Sequence, residues 1–232
     1  MGLLGPVPSL APLLARPDIR RGGALAQVAS ASVPTGFPQL DAELPGGGWP
    51  TGSLIELLPQ HEGIGELRLL GSALARLSRE GRRLVWIAPP YLPYAPALDA
   101  AGISLDQVLI VKTRSPRDTL WAAEQALVSG ACGAVLVWSG KARYIELRRL
   151  QIAAEGTTTL AAVFRPPQAA VESSPAALRL ALATAAGGLA VSFLKRRGAA
   201  LARPIVVNLP PPHAVDRALF AASGTRNIPV PV

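Results

Sequence analysis

Two glycines and a carboxylate stand in a loop whose position suits phosphate binding. Residues 58–68 read LPQHEGIGELR, whereas a working phosphate loop reads G-x-x-x-x-G-K-[ST]. Its backbone amides cradle the phosphates, its lysine neutralises them and its hydroxyl holds Mg²⁺. Here Gly65 matches the glycine before the lysine, but Glu66 replaces the lysine and Leu67 replaces the hydroxyl. A carboxylate there opposes phosphate binding by on the order of several kcal/mol. The sequence therefore predicts a structural turn in which Glu66 stabilises the helix N-terminus.

The rest of this loop fits a structural role. Gly63 completes the degenerate loop, and Arg68, two positions beyond the missing lysine, is expected to point elsewhere on the helix. A metal site at His61 and Glu62 would need further ligands to converge, and the only other histidine is His213. We therefore expect an exposed loop histidine, no metal site and no cofactor.

Two groups of basic residues could contact an anionic partner. They are Lys195, Arg196 and Arg197 after an apolar strand, and Arg143, Arg148 and Arg149 on a predicted helix. Arginine side chains of this kind can contact phosphate, but no aromatic residues interleave with them to stack on bases. The helix group is therefore a candidate contact with DNA or a partner, or simply a charged outer face.

Composition limits the class of protein. The chain has 232 residues, half of them hydrophobic, and a formal net charge of +8, which suits one domain with tails and favours acidic partners. The alternative explanation of the basic composition is a GC-rich genome that encodes arginine where others use lysine. The single Cys132 excludes an internal disulfide and is expected to be a buried structural thiol in a reducing cytoplasm. No apolar stretch is long enough to span a bilayer, and the proline-broken start does not read as a signal peptide.

Strand and helix patterns alternate through the middle of the chain. The spacing predicts strands at residues 53–58, 84–88, 108–111, 134–138 and 158–164, and helices at 66–80, 94–101, 115–129 and 141–155. An antiparallel hairpin is predicted at 178–184 and 189–194, with a last strand at 204–209. Alternation of this kind indicates a parallel sheet, and continuously apolar strands indicate that helices cover both faces.

The predicted fold is therefore an α/β domain. It has a mostly parallel sheet flanked by helices, with an antiparallel C-terminal extension. We divide the chain into an arm at residues 1–32, a core domain at 33–209 and a proline-rich tail at 210–232.

The entry to this core resembles that of the RecA/Rad51-type core. In that family a pattern TG…LD…L-GGG-P-G…E leads into the first strand, and the phosphate loop follows at once. The corresponding letters here are VPTGFPQLDAEL at 33–44 and GGGWPTGSLIEL at 46–57, in the same order and at closely matching spacing. The glycine run suits a tight connection that needs positive φ.

The RecA-like resemblance implies an inactive nucleotide site. The strand at 134–138 corresponds to the Walker B strand that ends in the Mg²⁺-holding aspartate, but here it ends in Trp138. The strand at 84–88 corresponds to the one followed by the catalytic glutamate, but here Pro89 and Pro90 follow. Since the lysine and the hydroxyl are also replaced, we predict that the chain is not an enzyme.

The same resemblance gives the C-terminal basic group a role. In the RecA family the corresponding strand ends in basic residues that reach across the filament interface toward the neighbour's nucleotide. Lys195 and Arg197 fall on those positions, with Arg196 between them. The resemblance therefore implies a retained protomer or partner interface beside a dead pocket; the alternative is a solvated hairpin end.

Within the RecA relatives the chain resembles the ImuA family of translesion-synthesis accessory proteins. The similar stretches are PTGF at 34–37, LPGGGWP at 44–50, GIGELRLL at 63–70, APP at 88–90, PYAPAL at 93–98 and SGACGAV at 129–135. This resemblance implies a non-catalytic protein of SOS-induced, error-prone translesion synthesis in damage-induced mutagenesis. Its partners would be ImuB, RecA and an error-prone DNA polymerase assembly, with weak DNA binding and self-association as further expectations. It would be cytoplasmic, and at the nucleoid when DNA is damaged.

Three alternatives remain open at this point. One is a SulA-like division inhibitor that binds the tubulin-like division protein, since that family is also described as RecA-related without a phosphate loop. Another is a basic DNA-binding protein, whose affinity would fall steeply with salt. The last is a protein with residual ATP binding.

Overall fold

A computed structural model of the chain describes residues 31–198, 201 and 203–209. Nearly all of the predicted arm at residues 1–32, and all of the predicted tail at 210–232, lie outside the described residues. The boundaries assigned to the arm, core and tail therefore stay predictions. Within the described ranges, no helix is long and apolar enough to cross a membrane.

The strands and helices follow the predicted ones within a few residues. In chain order, the strands are β1 (Ser32–Val33), β2 (Trp49–Pro50), β3 (Ser53–Pro59), β4 (Arg83–Ile87), β5 (Val108–Val111), β6 (Cys132–Trp138), β7 (Leu160–Phe164), β8 (Leu178–Ala185), β9 (Gly188–Lys195) and β10 (Ile205–Val207). The α-helices are α1 (Pro38–Asp41), α2 (Glu66–Arg79), α3 (Ala95–Ala100), α4 (Pro116–Val128) and α5 (Tyr144–Ala154), with 3₁₀ turns at Leu105–Gln107 and Pro167–Val171. The short pairing of β1 with β2, helix α1 and both 3₁₀ turns have no counterpart among the predicted elements.

The main sheet has eight strands in the order β10-β9-β8-β3-β7-β6-β4-β5. From β8 to β5 the neighbouring strands are parallel. Strand β9 pairs antiparallel with β8, and β10 pairs antiparallel with β9. This order confirms the predicted mixed α/β fold, with a mostly parallel sheet and an antiparallel extension.

The parallel strands define two opposite edges of the fold. At what we call the carboxyl edge, the parallel strands end and the loop after β3 leads into α2. At what we call the amino edge, the parallel strands begin. Because β9 runs the other way, with Lys195 opposite Arg179 near the start of β8, the basic residues that follow β9 arrive at the amino edge.

Helices cover both faces of the sheet, as the apolar strands predict. On one face, α2 contributes Leu69, Leu70, Ala73, Leu74 and Leu77 to a core that includes Trp86 and Leu136. On the other face, α4 and α5 contribute Ala123, Leu127, Leu147, Leu150 and Ala154 to a core that includes Val135 and Val163. Strand β6 is buried along its length up to Trp138, because it lies between these two layers.

Local signals position the helices that carry the site. Ser115 caps α4, since its hydroxyl accepts a hydrogen bond from the Asp118 N–H at 3.2 Å, and Pro116 takes the first helical position as predicted. In the glycine run, Gly46 (φ 88°) and Gly47 (φ 72°) adopt the expected positive φ. Gly48 serves a different need, because a Cβ there would lie 2.4 Å from the Val33 carbonyl oxygen.

Candidate functional site

The loop between β3 and α2 holds an anion of its own. Gly63 (φ 79°) and Gly65 (φ 110°) have left-handed backbone, which glycine adopts without strain. The Gly63 N–H donates to Glu66 Oε1 at 3.0 Å, and the Gly65 N–H donates to Glu66 Oε2 at 3.1 Å. Glu66 is the first residue of α2 and is buried. Its carboxylate therefore accepts the amide hydrogen bonds that a phosphate would take in a working loop.

Neighbouring side chains cover the same loop. A Cβ added at Gly65 would lie 2.4 Å from Leu209 Cδ1 and 3.0 Å from Arg68 Nη2. The expectation that Arg68 points elsewhere is therefore wrong, because its guanidinium lies against Gly65. Leu67, at the position of the missing hydroxyl, packs against the hydrophobic core. The Leu209 side chain and the Arg68 guanidinium thus occupy the space next to Gly65.

The end of β6 carries an aromatic cluster instead of a metal-binding carboxylate. Trp138 pairs in register with Phe164 at the end of β7. Their rings stack with centroids 4.6 Å apart and planes 10° apart. Trp86 of β4 lies on the other side of Trp138, at 6.1 Å between centroids. Stacked rings of this kind stabilise packing but offer no ligand to Mg²⁺.

The chain turns sharply after β4, where the RecA-type core would place a glutamate. Ala88 has a positive φ of 52°, which is uncommon for a residue other than glycine. Its N–H donates to the Val111 carbonyl oxygen at 2.9 Å, so the turn is anchored to the end of β5. Pro89 and Pro90 follow, where a glutamate would stand in the RecA-type core.

A buried ion-pair network lies in the centre of the sheet. Glu56 of β3 is fully buried; its Oε1 accepts from Arg165 Nη1 at 3.1 Å, and its Oε2 accepts from Arg179 Nε. Arg165 also pairs with Glu172 at 2.6 Å, and Arg179 donates to the Ala169 carbonyl oxygen at 2.7 Å. The network ties the 3₁₀ turn at Pro167–Val171 to the sheet. It was not among the predicted sites, although a glutamate inside the apolar run of residues 54–58 was a signal for a paired buried charge.

The amino edge brings together basic residues that lie far apart in the sequence. Two adjoining pockets there share Ala177, Arg196 and Arg197 as lining residues. One continues to Arg148 and Gln151 of α5 and to Lys195. The other continues to Pro45, Pro50, Thr51, Gly52, Ser53 and Leu178. We call this pair of pockets the amino-edge cleft.

The remaining predicted basic residues lie away from this cleft and are paired. Arg143 caps α5 in a reciprocal arrangement with Glu146, with a 2.9 Å ion pair between their side chains. Arg149 lies on the side of α5 that faces α4, where it pairs with Glu124 at 2.5 Å. Arg148 is therefore the member of the helix group that joins Lys195, Arg196 and Arg197.

Two single residues that could have been reactive are not arranged for chemistry. His61 is exposed, and its Nδ1 lies 3.2 Å from the Glu62 carbonyl oxygen. Cys132 is buried, and burial raises the pKa of its thiol, which disfavours the nucleophilic thiolate. Among the residues that the structure describes, no cluster of three His, Cys, Asp or Glu could hold a metal.

Exposed apolar side chains gather on the two helices of the second face. Trp121 and Val128 of α4 are 62% and 64% exposed, and Ile145 and Ile152 of α5 are 60% and 53% exposed. The ion pair between Arg149 and Glu124 links the two helices. We call these four residues the outer helix surface. Sequence reasoning did not single it out, although an exposed tryptophan commonly marks a binding surface.

Comparison with known proteins points to one family. The family model described as "Cell division inhibitor SulA" matches residues 55–161, which run from β3 into β7 and include α2 to α5. A cell division inhibitor SulA from Photorhabdus laumondii is 31% identical over 112 residues, which cover 48% of this chain and 63% of that protein. A SulA from Yersinia pestis (strain Pestoides F) is 29% identical over 99 residues, which cover 43% of this chain and 59% of that protein.

A solved structure completes the comparison. The crystal structure of SulA from Pseudomonas aeruginosa aligns with a TM-score of 0.41 and 24% sequence identity, and it covers 48% of this chain and 97% of that chain. The chain spans only about three fifths of the length of the two curated relatives.

These findings correct the identification made from the sequence. The resemblance to the ImuA family is wrong as an assignment, because the family model and the curated relatives are those of SulA. The partners that it implied, namely ImuB, RecA and the error-prone polymerase assembly, go with it, as do self-association and DNA binding. The role in translesion synthesis and the nucleoid association lose their basis as well. The matches favour what was an alternative on sequence grounds, a SulA-like cell division inhibitor.

Proposed function

We propose that this protein is a non-catalytic, SulA-like cell division inhibitor that acts in the cytoplasm by binding the tubulin-like division protein FtsZ. The observation that carries the proposal is the match of the SulA family model to residues 55–161. That segment contains most of the parallel sheet and the helices α2 to α5. A function carried by this segment would use either the exposed faces of its helices or the loops at its carboxyl edge.

Within the described residues, the carboxyl edge lacks the groups for nucleotide chemistry, which supports a role in binding a protein partner and argues against catalysis. A nucleotide would have to displace the Glu66 carboxylate from the two glycine amides and then face its negative charge. Trp138 stands where a metal-binding carboxylate would be needed. We propose on these grounds that the carboxyl edge does not work as a nucleotide site.

The outer helix surface is the contact that we propose for the division protein. It lies within the matched segment and exposes a tryptophan and three aliphatic side chains on two adjacent helices. Tryptophan is among the residues that dominate binding energy at protein interfaces, where truncation of a central one costs about 2 kcal/mol or more.

A binding measurement with purified FtsZ tests both parts of the proposal. We expect the wild-type chain to bind FtsZ in biolayer interferometry, and the double substitution Trp121→Ala and Ile145→Ala to weaken binding at least about tenfold. The matched control removes two exposed apolar side chains outside the matched segment, Val171→Ala and Val206→Ala, and should bind like wild type. Thermal unfolding of each variant verifies that the fold is retained.

The outcomes separate the surface from the function. Failure of the wild-type chain to bind FtsZ would contradict the proposed function. Wild-type binding that survives the Trp121 and Ile145 substitutions would retain the function but remove the outer helix surface from it. Equal weakening by the control pair would show that loss of apolar area anywhere has the same effect, which also argues against a specific surface.

A further inference from the structure

We propose that the amino-edge cleft binds an acidic segment of a protein partner through carboxylate side chains. Three of the four basic residues of the cleft lie beyond the segment that the SulA family model matches. The inference therefore goes beyond division inhibition and holds whether or not FtsZ is the partner.

Two guanidinium groups of the cleft are not neutralised. Arg148 and Arg197 are exposed, and within the described part of the chain neither has a hydrogen-bonding or ion-pairing partner. None of the described residues that line the two pockets is acidic. Since a guanidinium presents several N–H donors in a plane that fits a carboxylate, these two side chains are available for bidentate contacts.

The other two basic residues extend the positive charge and fix its position. Lys195 Nζ donates to the Ser174 carbonyl oxygen at 2.9 Å, a neutral acceptor that leaves its charge uncompensated. Arg196 pairs with Glu43 at 2.8 Å and lies over the Phe193 ring at 5.3 Å. Arg196 therefore contributes structure to the floor of the cleft, whereas Arg148, Lys195 and Arg197 contribute net positive charge.

The walls of the cleft suit a polypeptide. They include Pro45, Pro50, Pro175 and Ala177, partly exposed apolar side chains that can contact the aliphatic parts of a peptide. Acidic residues alternating with small or aliphatic ones would place carboxylates on Arg148 and Arg197 and carbon on the walls. Contacts of both kinds are needed for affinity, because exposed charge pairs alone contribute little.

Two observations favour a polypeptide over a nucleic acid. No aromatic residue lines either pocket among the described residues, and the nearby Phe193 ring lies under Arg196, so no ring is free for base stacking. The positive charge also does not continue along α5, because Arg143 and Arg149 are paired with Glu146 and Glu124. A phosphate backbone would follow a longer track of unpaired cations.

Fluorescence anisotropy with three probes of equal length tests the proposal. The first is a labelled peptide in which glutamate alternates with leucine and alanine, the second has glutamine in place of every glutamate, and the third is oligodeoxythymidine. We expect the full chain to bind the acidic peptide more tightly than the other two. The substitutions Arg148→Glu and Arg197→Glu together should weaken that binding at least about tenfold.

A matched variant separates the cleft from net charge. Arg114 and Arg117 are exposed, lie at the start of α4 near the carboxyl edge, and have no partner among the residues described. Arg114→Glu with Arg117→Glu changes the net charge equally and should leave peptide binding within about twofold.

Each other result overturns the proposal. Equal loss in the two double variants would mean that net charge alone attracts the peptide. Tighter binding of oligodeoxythymidine, lost with Arg148→Glu and Arg197→Glu, would make the cleft a nucleic-acid site. Absence of binding to the acidic peptide by a chain that melts normally would leave no acidic-segment site. The milder pair Arg148→Gln and Arg197→Gln must also weaken binding, which guards against a folding defect in the charge-reversed variant.

Discussion

The two edges of the sheet treat charge in opposite ways. At the carboxyl edge, the Glu66 carboxylate is buried and accepts hydrogen bonds from two backbone amides of its own loop. At the amino edge, Arg148 and Arg197 are exposed, and neither has a partner among the residues described. One edge therefore satisfies its polar groups internally, and the other presents its charge to solvent and to partners.

This difference shows where binding can take place in a fold of this type. A loop whose backbone amides could hold a phosphate acts as a structural turn when a side-chain carboxylate takes the place of the ligand. The amides are then already satisfied. In the cleft at the opposite edge, Arg196 pairs with Glu43, but Arg148 and Arg197 have no such internal partner among the described residues. Removing charged groups from each edge should accordingly have different effects on stability.

The largest effect is expected in the network that lies between the edges. Glu56→Gln leaves Arg165 and Arg179 buried without their shared carboxylate, so we expect a loss of about 3 kcal/mol or more in the free energy of unfolding. Urea denaturation followed by circular dichroism measures it. Glu80→Gln, which removes an exposed pair with Arg76, is the control and should change stability by less than about 0.5 kcal/mol. Equal midpoints for the two variants would contradict the structural role of Glu56.

The next largest effect tests the internal anion directly. Glu66→Ala leaves the Gly63 and Gly65 amides without their acceptor, and we expect a loss of about 1–3 kcal/mol. Sulfate should then restore part of the melting temperature, because the vacated amides can hold an oxyanion. The increase in melting temperature with sulfate should be larger in the variant than in wild type. Any sulfate that binds at the amino-edge cleft should raise the melting temperature of both proteins equally. A variant that gains no more from sulfate than wild type would contradict the anion-like role of Glu66.

A smaller effect is expected at the amino edge. Arg148→Gln with Arg197→Gln removes two unpaired charges that repel each other and Lys195. The free energy of unfolding should therefore change by no more than about 0.5 kcal/mol in either direction. Thermal denaturation at low and moderate salt measures the change. Destabilisation comparable to that of Glu66→Ala would mean that both edges use their charges for the fold, and the contrast between them would not hold.

The smallest effect is a pH dependence at the start of α5. The Arg143 side chain and N–H lower the pKa of Glu146 below its ordinary value of 4.5. The stability from this pair is therefore fully present above that ordinary value, and it is lost as pH falls through the lowered pKa. Wild type and Glu146→Gln should differ slightly in melting temperature at neutral pH and converge in strong acid. A difference that grows as pH falls has the wrong sign for this account.

Much of the fold could be predicted because its signals are local. Ser115 and Pro116 mark the start of α4 through capping chemistry that needs only neighbouring residues. The continuous apolar run before Trp138 predicts a strand buried on both faces. The internal carboxylate was also readable, since Gly63, Gly65 and Glu66 lie within four consecutive positions.

The sites that were missed depend on contacts between distant segments. Glu56 meets Arg165 and Arg179 across 109 and 123 residues of sequence, and only the strand order β8-β3-β7 brings them together. Arg148 joins Lys195 at the amino edge for the same reason. Arg149 could not be separated from Arg148 by sequence, because its partner Glu124 lies 25 residues away on α4.

The family assignment made from the sequence failed for a related reason. The ImuA resemblance rested on short stretches such as the glycine run at residues 46–48 and the loop at residues 63–70, and short stretches specify a family less well than a long match does. The SulA family model matches residues 55–161, a continuous segment that includes core strands and the helices α4 and α5.

The most direct test of the account is sedimentation of FtsZ assembled with GTP in the presence of this protein. We predict that the amount of FtsZ in the pellet falls as the concentration of the chain approaches that of FtsZ, and that adding ATP changes nothing, since the chain's own loop is filled by Glu66. An unchanged pellet in the presence of excess folded chain would contradict the proposed division inhibition.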